Sequence, residues 1–408
     1  MTDIRRTLLW VVFTMSLVLL WDAWNKHTGA PSLFGGSAPR PVAASAPPTV
    51  PGSAAVPSVA VPSATTAPPT SAAVPGSGPA PAPAAGAAEL ITLTTDVLRA
   101  SIDTRGGDIV RLELLRYRDH VNPASNVVLF DRSRERLYFA RTGLATVDGV
   151  AFPNHETVFV PKAGERELKS DAGQLELQLE SPELNGMRVR KTLTLRRGDY
   201  RIGVKHELSY SGANTLSPQL YMQLVRDGNP PAGESSFYFT FTGPAVYTDA
   251  KKFEKIDFSD IEKGKADYQR SADNGWIAMV QHYFASAWLI GAGPRDYVTN
   301  KVGDNQYALA MMVKLGTLAP QATLTHDATL YAGPQEEKKL EALAPGLDLV
   351  KDYGYFTILA KPLYWLLDRL YQVLGNWGWS IVALVVLLKI AFYWLNASAY
   401  RSMAKMKA

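Results

Sequence analysis

Lys389 restricts the chemistry of this 408-residue chain more than any other side chain, because it stands inside an otherwise apolar run, Trp377 to Leu395. At about 1.5 Å rise per residue, the twelve steps from Trp377 to Lys389 carry a helix roughly 18 Å along its axis, past the midplane of a ~30 Å hydrocarbon layer. An ammonium at that depth costs about 2.5–3.5 kcal/mol on insertion scales, so such groups face a bundle interior or a watered cavity, or snorkel to the nearer interface. Snorkelling would take Lys389 toward the Ser398 to Lys407 side, along Ile390 to Leu395, roughly 9 Å of helix and more than a lysine stem comfortably spans. Both readings stay open, and a polar, partly hydrated groove is the sharper one. Its chemistry would be attraction of an acidic group, with no bond made or broken.

Little else in the sequence is arranged for reaction. His120, His155, His206, His282 and His326 are scattered singly, without a His-Glu-x-x-His spacing or a glycine-rich phosphate loop. His206 and His326 fall on the apolar side of alternating segments, where a satisfied core histidine is expected. Cysteine is absent, which removes disulfides, thiolate metal sites and a cysteine nucleophile. No cofactor is implied. A net charge of +4 with 20% charged residues gives no clustered basic patch interleaved with aromatics, so nucleic acid is not expected as a partner.

The elements that must position Lys389 follow from composition. Residues 1–29 carry Arg5 and Arg6, an apolar stretch from Leu8 to Leu20, and Trp21 and Trp24 at its far end. A cleaved signal peptide is the rival reading, but no small-x-small site follows the core, and a retained signal anchor fits better. Arg5, Arg6, Arg401, Lys405 and Lys407 place both membrane-segment ends in the cytoplasm, and the middle of the chain across the membrane. Residues 30–88 hold fourteen of the 27 prolines and one charge, Arg40, which describes a disordered, partly polyproline tether.

Residues 89–346 change character. Leu175, Leu177 and Leu179 alternate with Glu176, Gln178 and Glu180, and Ile202, Val204, His206, Leu208 and Tyr210 with Lys205, Glu207 and Ser209. Gly106-Gly107, Arg197-Gly198-Asp199 and Ser211-Gly212 punctuate them as turns. Many short strands without long intervening helices predict a mainly β domain of sandwich type. Lys251 to Lys265 reads as a solvated face or mobile loop. A helix is predicted over Gln335 to Leu343, started by Pro334 and stopped by Pro345 and Gly346.

Within residues 347–375, Leu359, Leu363, Leu366, Leu367, Leu370 and Leu374 recur at helical spacing with Lys361, Asp368 and Gln372 opposite. This predicts an amphipathic helix opened near Pro362 and ended at Gly375, lying in the membrane interface with Tyr364, Trp365 and Tyr371 at headgroup level. A core helix packed on the β domain is the alternative. Residues 376–396 are the predicted second transmembrane helix, and 397–408 the start of a cytoplasmic helical region.

Several stretches together resemble the YidC/Oxa/Alb family of membrane protein insertases, in its Gram-negative form. They are the N-terminal anchor, Asp103-Thr-Arg-Gly-Gly-Asp108, Lys191-Thr-Leu-Thr-Leu-Arg-Arg-Gly-Asp-Tyr200, Asn274-Gly-Trp-Ile-Ala-Met279 continuing to Tyr283-Phe-Ala-Ser-Ala-Trp288, Leu347-Asp-Leu-Val-Lys-Asp-Tyr-Gly354, Asn376-Trp-Gly-Trp-Ser-Ile381 and Tyr400-Arg-Ser-Met-Ala-Lys-Met406. The resemblance implies a periplasmic β-supersandwich similar to galactose mutarotases, an interfacial helix carrying Leu363, Trp365, Leu366 and Leu370, and an insertase core whose hydrophilic groove holds one basic residue. Aligned on Asn376-Trp-Gly and Ser402-Met-Ala-Lys, that residue is Lys389. An arginine is common there, so lysine keeps the charge and loses the bidentate fork. Trp394 stands where a proline is often found.

The implied function is insertion and folding of inner-membrane proteins, alone or with the Sec translocon. Nascent membrane proteins, the lipid bilayer and a ribosome are the further partners. By the same resemblance the sequence stops at Ala408 where a cytoplasmic hairpin would begin, and reads as truncated and inactive alone. A tethered carbohydrate-processing enzyme and a stalked envelope scaffold are the rivals, and fold resemblance by itself carries no sugar chemistry.

Overall fold

The computed structural model describes residues 88–146, 149–231, 240–351 and 357–405, with side chains of 357, 358 and 394–405 outside that description. The expected anchor (1–29) and nearly all of the tether (30–88) lie outside the described residues, as do the side chains of Trp394, Arg401, Lys405 and Lys407.

Among the described residues eighteen strands form two nine-stranded sheets. One runs, edge to edge, β1 (Leu90–Thr94), β2 (Leu98–Asp103), β3 (Asp108–Arg118), β4 (Asn126–Arg132), β5 (Leu137–Leu144), β10 (Gln219–Asp227), β17 (Gln306–Lys314), β16 (Arg295–Gly303) and β13 (Ser271–Ala272). The other runs β12 (Lys252–Lys255), β11 (Gly243–Thr248), β14 (Trp276–Val280), β15 (Phe284–Leu289), β18 (Thr323–Pro334), β9 (Arg201–Tyr210), β8 (Met187–Arg196), β7 (Gln174–Glu180) and β6 (Val160–Pro161).

Alternation selects the faces. In β7 the leucines at 175, 177 and 179 are buried while Glu176 is exposed, and in β9 Ile202, Val204, His206 and Leu208 point inward. One continuous core draws on both sheets, which therefore pack face to face. Polar bonds cross the same gap: Tyr138 Oη to Ser286 Oγ at 2.5 Å, and Trp288 Nε1 donating to the carbonyl of Gln223 at 3.2 Å. Arg197-Gly198-Asp199 is the turn between β8 and β9, with Gly198 at φ +70° and the Arg201 amide donating to Asp199 Oδ1.

β10 and β17 show no polar alternation and are buried along almost their whole length, the pattern of strands covered on both faces. Lys251 to Lys265 is more ordered than a loop: it supplies edge strand β12 and α1 (Phe258–Glu262), seats Ile256 and Ile261 in the core and leaves its lysines in solvent.

Beyond β18 come α2 (Glu337–Leu343), a 3-10 turn (Leu347–Val350), α3 (Thr357–Leu374) and α4 (Trp377–Lys405). Pro334 is the last residue of β18, not the first of a helix. Pro362 lies inside α3 rather than opening it. Its missing N–H costs the bond to the carbonyl of residue 358. Among the described residues no helix is long and apolar enough to cross a membrane. The backbone of α4 runs 29 residues.

Candidate functional site

The site is built by α2, the 3-10 turn, α3 and the first half of α4. Leu340, Leu347 and Val350 are buried in the core of the sandwich, and the Pro345 carbonyl accepts a hydrogen bond from Trp276 Nε1 at 3.0 Å. Residues 337–351 thus form a strut fixed to the sandwich. Its polar side meets one face of α3: Lys338 Nζ lies 2.9 Å from Asp368 Oδ2, Asp348 Oδ2 3.9 Å from Lys361 Nζ, and Lys351 Nζ 4.1 Å from the centre of the Tyr364 ring. Lys351 also pairs with Glu337 at 3.5 Å. The Lys338 ammonium holds the Asp368 carboxyl below its ordinary range.

Lys361, Tyr364 and Asp368 stand at i, i+3 and i+7, one stripe of a helix. Leu363, Leu366 and Leu370 occupy the opposite stripe, half-buried, extended by the exposed Leu359 and Val373. The apolar face therefore points away from the sandwich. A core helix packed through its leucines would show the reverse. Trp365 departs from the predicted grouping: it is about 100° round the helix from Leu366, exposed, with the Arg369 guanidinium 5.6 Å from its ring centre. The docking residues Lys338, Asp348 and Lys351 went unrecognised, although Lys361 and Asp368 were legible as the polar side of α3.

Gly375, at φ +64°, ends α3, its N–H donating to the Tyr371 carbonyl at 2.8 Å. Asn376 starts α4 by accepting the Trp379 N–H on its side-chain oxygen at 3.2 Å. The Tyr371 and Trp377 rings stack with centroids 4.1 Å apart. On α4, Ser380 is buried and Leu384 and Leu388 half-buried, one stripe at i, i+4, i+8. Lys389 is exposed on a different stripe, next to the exposed Val382, Val385, Val386 and Tyr393. The described chain brings the predicted interfacial helix against the strut and leaves Lys389 among apolar side chains.

Inside the sandwich, two of the recognised motifs meet. Lys191 Nζ, from β8, donates to the carbonyls of Gly106 (2.6 Å) and Thr142 (2.8 Å) on the opposite sheet. Arg132 bonds Asp103 and lies 4.0 Å from Asp108. Burial pushes the Asp108 carboxyl up to about 7, opposed by the charges of Lys191, Arg141 and Arg132, and pushes the Lys191 ammonium down to about 8. His206 Nε2 sits 2.9 Å from Thr142 Oγ1 and is fully buried. Its cationic form is strongly disfavoured by burial. This knot stitches the sheets together and offers no open cleft to a substrate.

A cleft of about 190 Å³ lies at the end of the sandwich beneath Pro345, with Tyr247, Trp276, Asn274 and Arg295 in its lining. Tyr247 and Trp276 stack on each other, centroids 5.3 Å apart. Arg295 spends its donors on the carbonyls of Gly275, Gly291 and Gly293. The Asn274 side-chain oxygen accepts the Asp249 N–H at 2.9 Å, and Asp249, which also lines the cleft, accepts from Tyr247 Oη at 3.4 Å. Among the described residues no cluster of three or more metal-ligating side chains occurs.

These features define a β-sandwich protein that presents two C-terminal helices with outward-facing apolar surface. The chain belongs to the YidC family of membrane protein insertases, for residues 90–366 match the family described as the YidC periplasmic domain. It is 48% identical over 407 residues to the membrane protein insertase YidC of Janthinobacterium sp. (strain Marseille), covering 99% of this chain and 70% of that protein. It is 50% identical over 412 residues to the namesake of Cupriavidus necator, covering 99% and 71%. Among solved structures, a galactose mutarotase related enzyme from Lactobacillus acidophilus covers 60% of this chain and 97% of its own at 9% identity and a TM-score of 0.38. A galactose mutarotase-like protein from Clostridium acetobutylicum covers the same shares at 10% and 0.38.

Proposed function

We propose that the chain acts as a membrane protein insertase of the bacterial inner membrane, with the sandwich on the periplasmic side, α3 lying in the interface through Leu363, Leu366 and Leu370, Trp365 at headgroup level, and residues 376–396, whose side chains from 394 onward lie outside the described residues, crossing the bilayer. The observation that carries this reading is the outward apolar surface of α3 and α4. Ile381, Val382, Val386, Ile390 and Phe392 are each half exposed or more, and a continuous apolar surface of that kind calls for lipid or protein cover. The YidC relatives support it, and both rivals lose ground: the cleft beneath Pro345 carries no free acid and base pair, and a scaffold has no use for a charge on α4.

Insertion is limited by moving polar flanks through hydrocarbon. Lys389 attracts acidic residues in the flank of an incoming single-span protein. At an effective dielectric near 20, a pair about 4 Å apart gains roughly 4 kcal/mol, comparable to the cost of holding the ammonium at depth. The apolar segment then slides into lipid, and no covalent step is involved, so the activity is not enzymatic. Nascent membrane proteins are the substrates, and the Sec translocon and the ribosome are proposed partners. The test is depletion of the native protein followed by complementation with Lys389→Arg, Lys389→Ala and Lys389→Glu. Arg rescues, and Glu fails most severely for clients with acidic flanks. Equal rescue by all three removes the electrostatic role.

A further inference from the structure

The strut and α3 carry charges in an order that pairs in one orientation only. Along α3 the docking stripe reads Lys361, Tyr364, Asp368, and it meets Asp348, Lys351 and Lys338 in turn. Reversing the helix on the strut would set Lys361 against Lys338 and Asp368 against Asp348, two like-charge contacts, so the wrong orientation is disfavoured as well as the right one favoured. The strut cannot turn to follow the helix. Leu340, Leu347 and Val350 are locked in the sandwich core, and Gly346, at φ +69°, has no room for a side chain, since a Cβ there would meet the Tyr247 ring at 2.2 Å. An amphipathic helix in an interface would otherwise find its roll from its own apolar stripe and would move independently of the folded domain.

Resting on the proposed interfacial position of α3, we infer that Lys338, Asp348 and Lys351 are positioning residues. They fix the roll of α3 about its axis, and hence the depth of its leucine stripe in lipid, by tying the opposite stripe to the sandwich. The domain and the membrane helices then move as one body, and α4, which follows α3 after a single left-handed glycine and one asparagine, inherits its direction from the same contacts.

The chain has no cysteine, so one introduced cysteine takes a nitroxide label uniquely. Val373→Cys and Leu359→Cys, both on the exposed apolar stripe, are labelled separately in the full chain reconstituted into phosphatidylethanolamine/phosphatidylglycerol vesicles. Accessibility to oxygen and to a water-soluble nickel chelate is then compared. Expected is a preference for oxygen at both positions, its loss on adding Asp368→Lys, and its return in the swapped pair Lys338→Asp/Asp368→Lys. Oxygen preference that survives Asp368→Lys overturns the positioning role and leaves the interfacial reading standing, and so does a loss the swap does not repair. Absence of the preference before any charge is altered overturns both.

Discussion

Lys191 and Asp108 show what a single buried charge demands of its neighbours. Each is nearly free of solvent contact, 1% and 3% exposed, and a buried ion is tolerated only while its partners remain. Lys191→Met removes the cation opposing the burial of Asp108 and leaves the Gly106 and Thr142 carbonyls without their donor. It should lower unfolding free energy by about 3–5 kcal/mol in urea titrations followed by tryptophan fluorescence, with partial recovery in Asp108→Asn/Lys191→Met. A loss no larger than that of a surface lysine would contradict the stitching role. The motifs that carry these residues were visible in the sequence, but their meeting was not. Lys191 and Gly106 are 85 positions apart and join across two sheets, and no local periodicity encodes such a pairing.

His206 was legible as an inward-facing histidine from the alternation of β9, and it titrates in a direction that can be measured. Its folded-state pKa lies well below 6.5, and that of His155, also depressed by burial, is about 3. Between the folded and unfolded values the unfolded chain binds the proton and the folded one does not, so these histidines subtract stability as pH falls below 6.5. Each can contribute up to about 1.4 kcal/mol per pH unit within its window. Asp108 acts in the opposite sense between 3.8 and about 7, which makes a difference measurement the clean one. His206→Gln, which keeps a donor or acceptor for Thr142, should show a shallower loss of stability from pH 6.5 to 5 than the unaltered chain. Equal slopes would mean that His206 takes up its proton equally in the folded and unfolded states.

At the scale of elements, two glycines with the same backbone angle make a controlled comparison. Gly346 and Gly375 have φ +69° and +64°, yet a Cβ at 346 meets the Tyr247 ring at 2.2 Å while one at 375 meets nothing within 4 Å. Both alanine substitutions carry the left-handed penalty of about 1 kcal/mol. Gly346→Ala adds overpacking of about 1–3 kcal/mol against a ring stacked on Trp276. At ~2–4 °C per kcal/mol for a domain of this size, the sandwich should melt several degrees lower in Gly346→Ala and at an unchanged temperature in Gly375→Ala. Equal melting temperatures would show that neither the left-handed backbone nor the Tyr247 contact at 346 costs the sandwich stability. Gly375 was readable as a stop because it ends a strong amphipathic pattern. Pro362 misled, since a proline at helical spacing suggests a first turn, whereas Ile358 and Leu359 extend α3 ahead of it.

For the whole molecule, the decisive quantity is how far the sandwich core reaches along the chain. Alternation, turn residues and the helix stop at Pro345 and Gly346 predict a domain ending at 346. Leu347 and Val350 follow that point and are nonetheless buried, 0% and 1% exposed, with Leu340 of α2 also at 0%. A 3-10 turn has neither a period of 2 nor a full helical turn to advertise its buried side. Three fully buried aliphatic side chains are worth about 1.5–3 kcal/mol each, against a net stability of about 5–15 kcal/mol for a domain. A fragment spanning residues 88–351 should therefore unfold cooperatively. One spanning 88–346 should be less stable by about 3–6 kcal/mol, the share of Leu347 and Val350. One ending at 336 should retain little or none of its stability. Chemical denaturation of the three fragments measures this directly, and coincident midpoints for the first two would return the boundary to 346. Because the residues that close the core are the same ones that hold α3, the strut belongs to the folded domain as much as to the helices it carries.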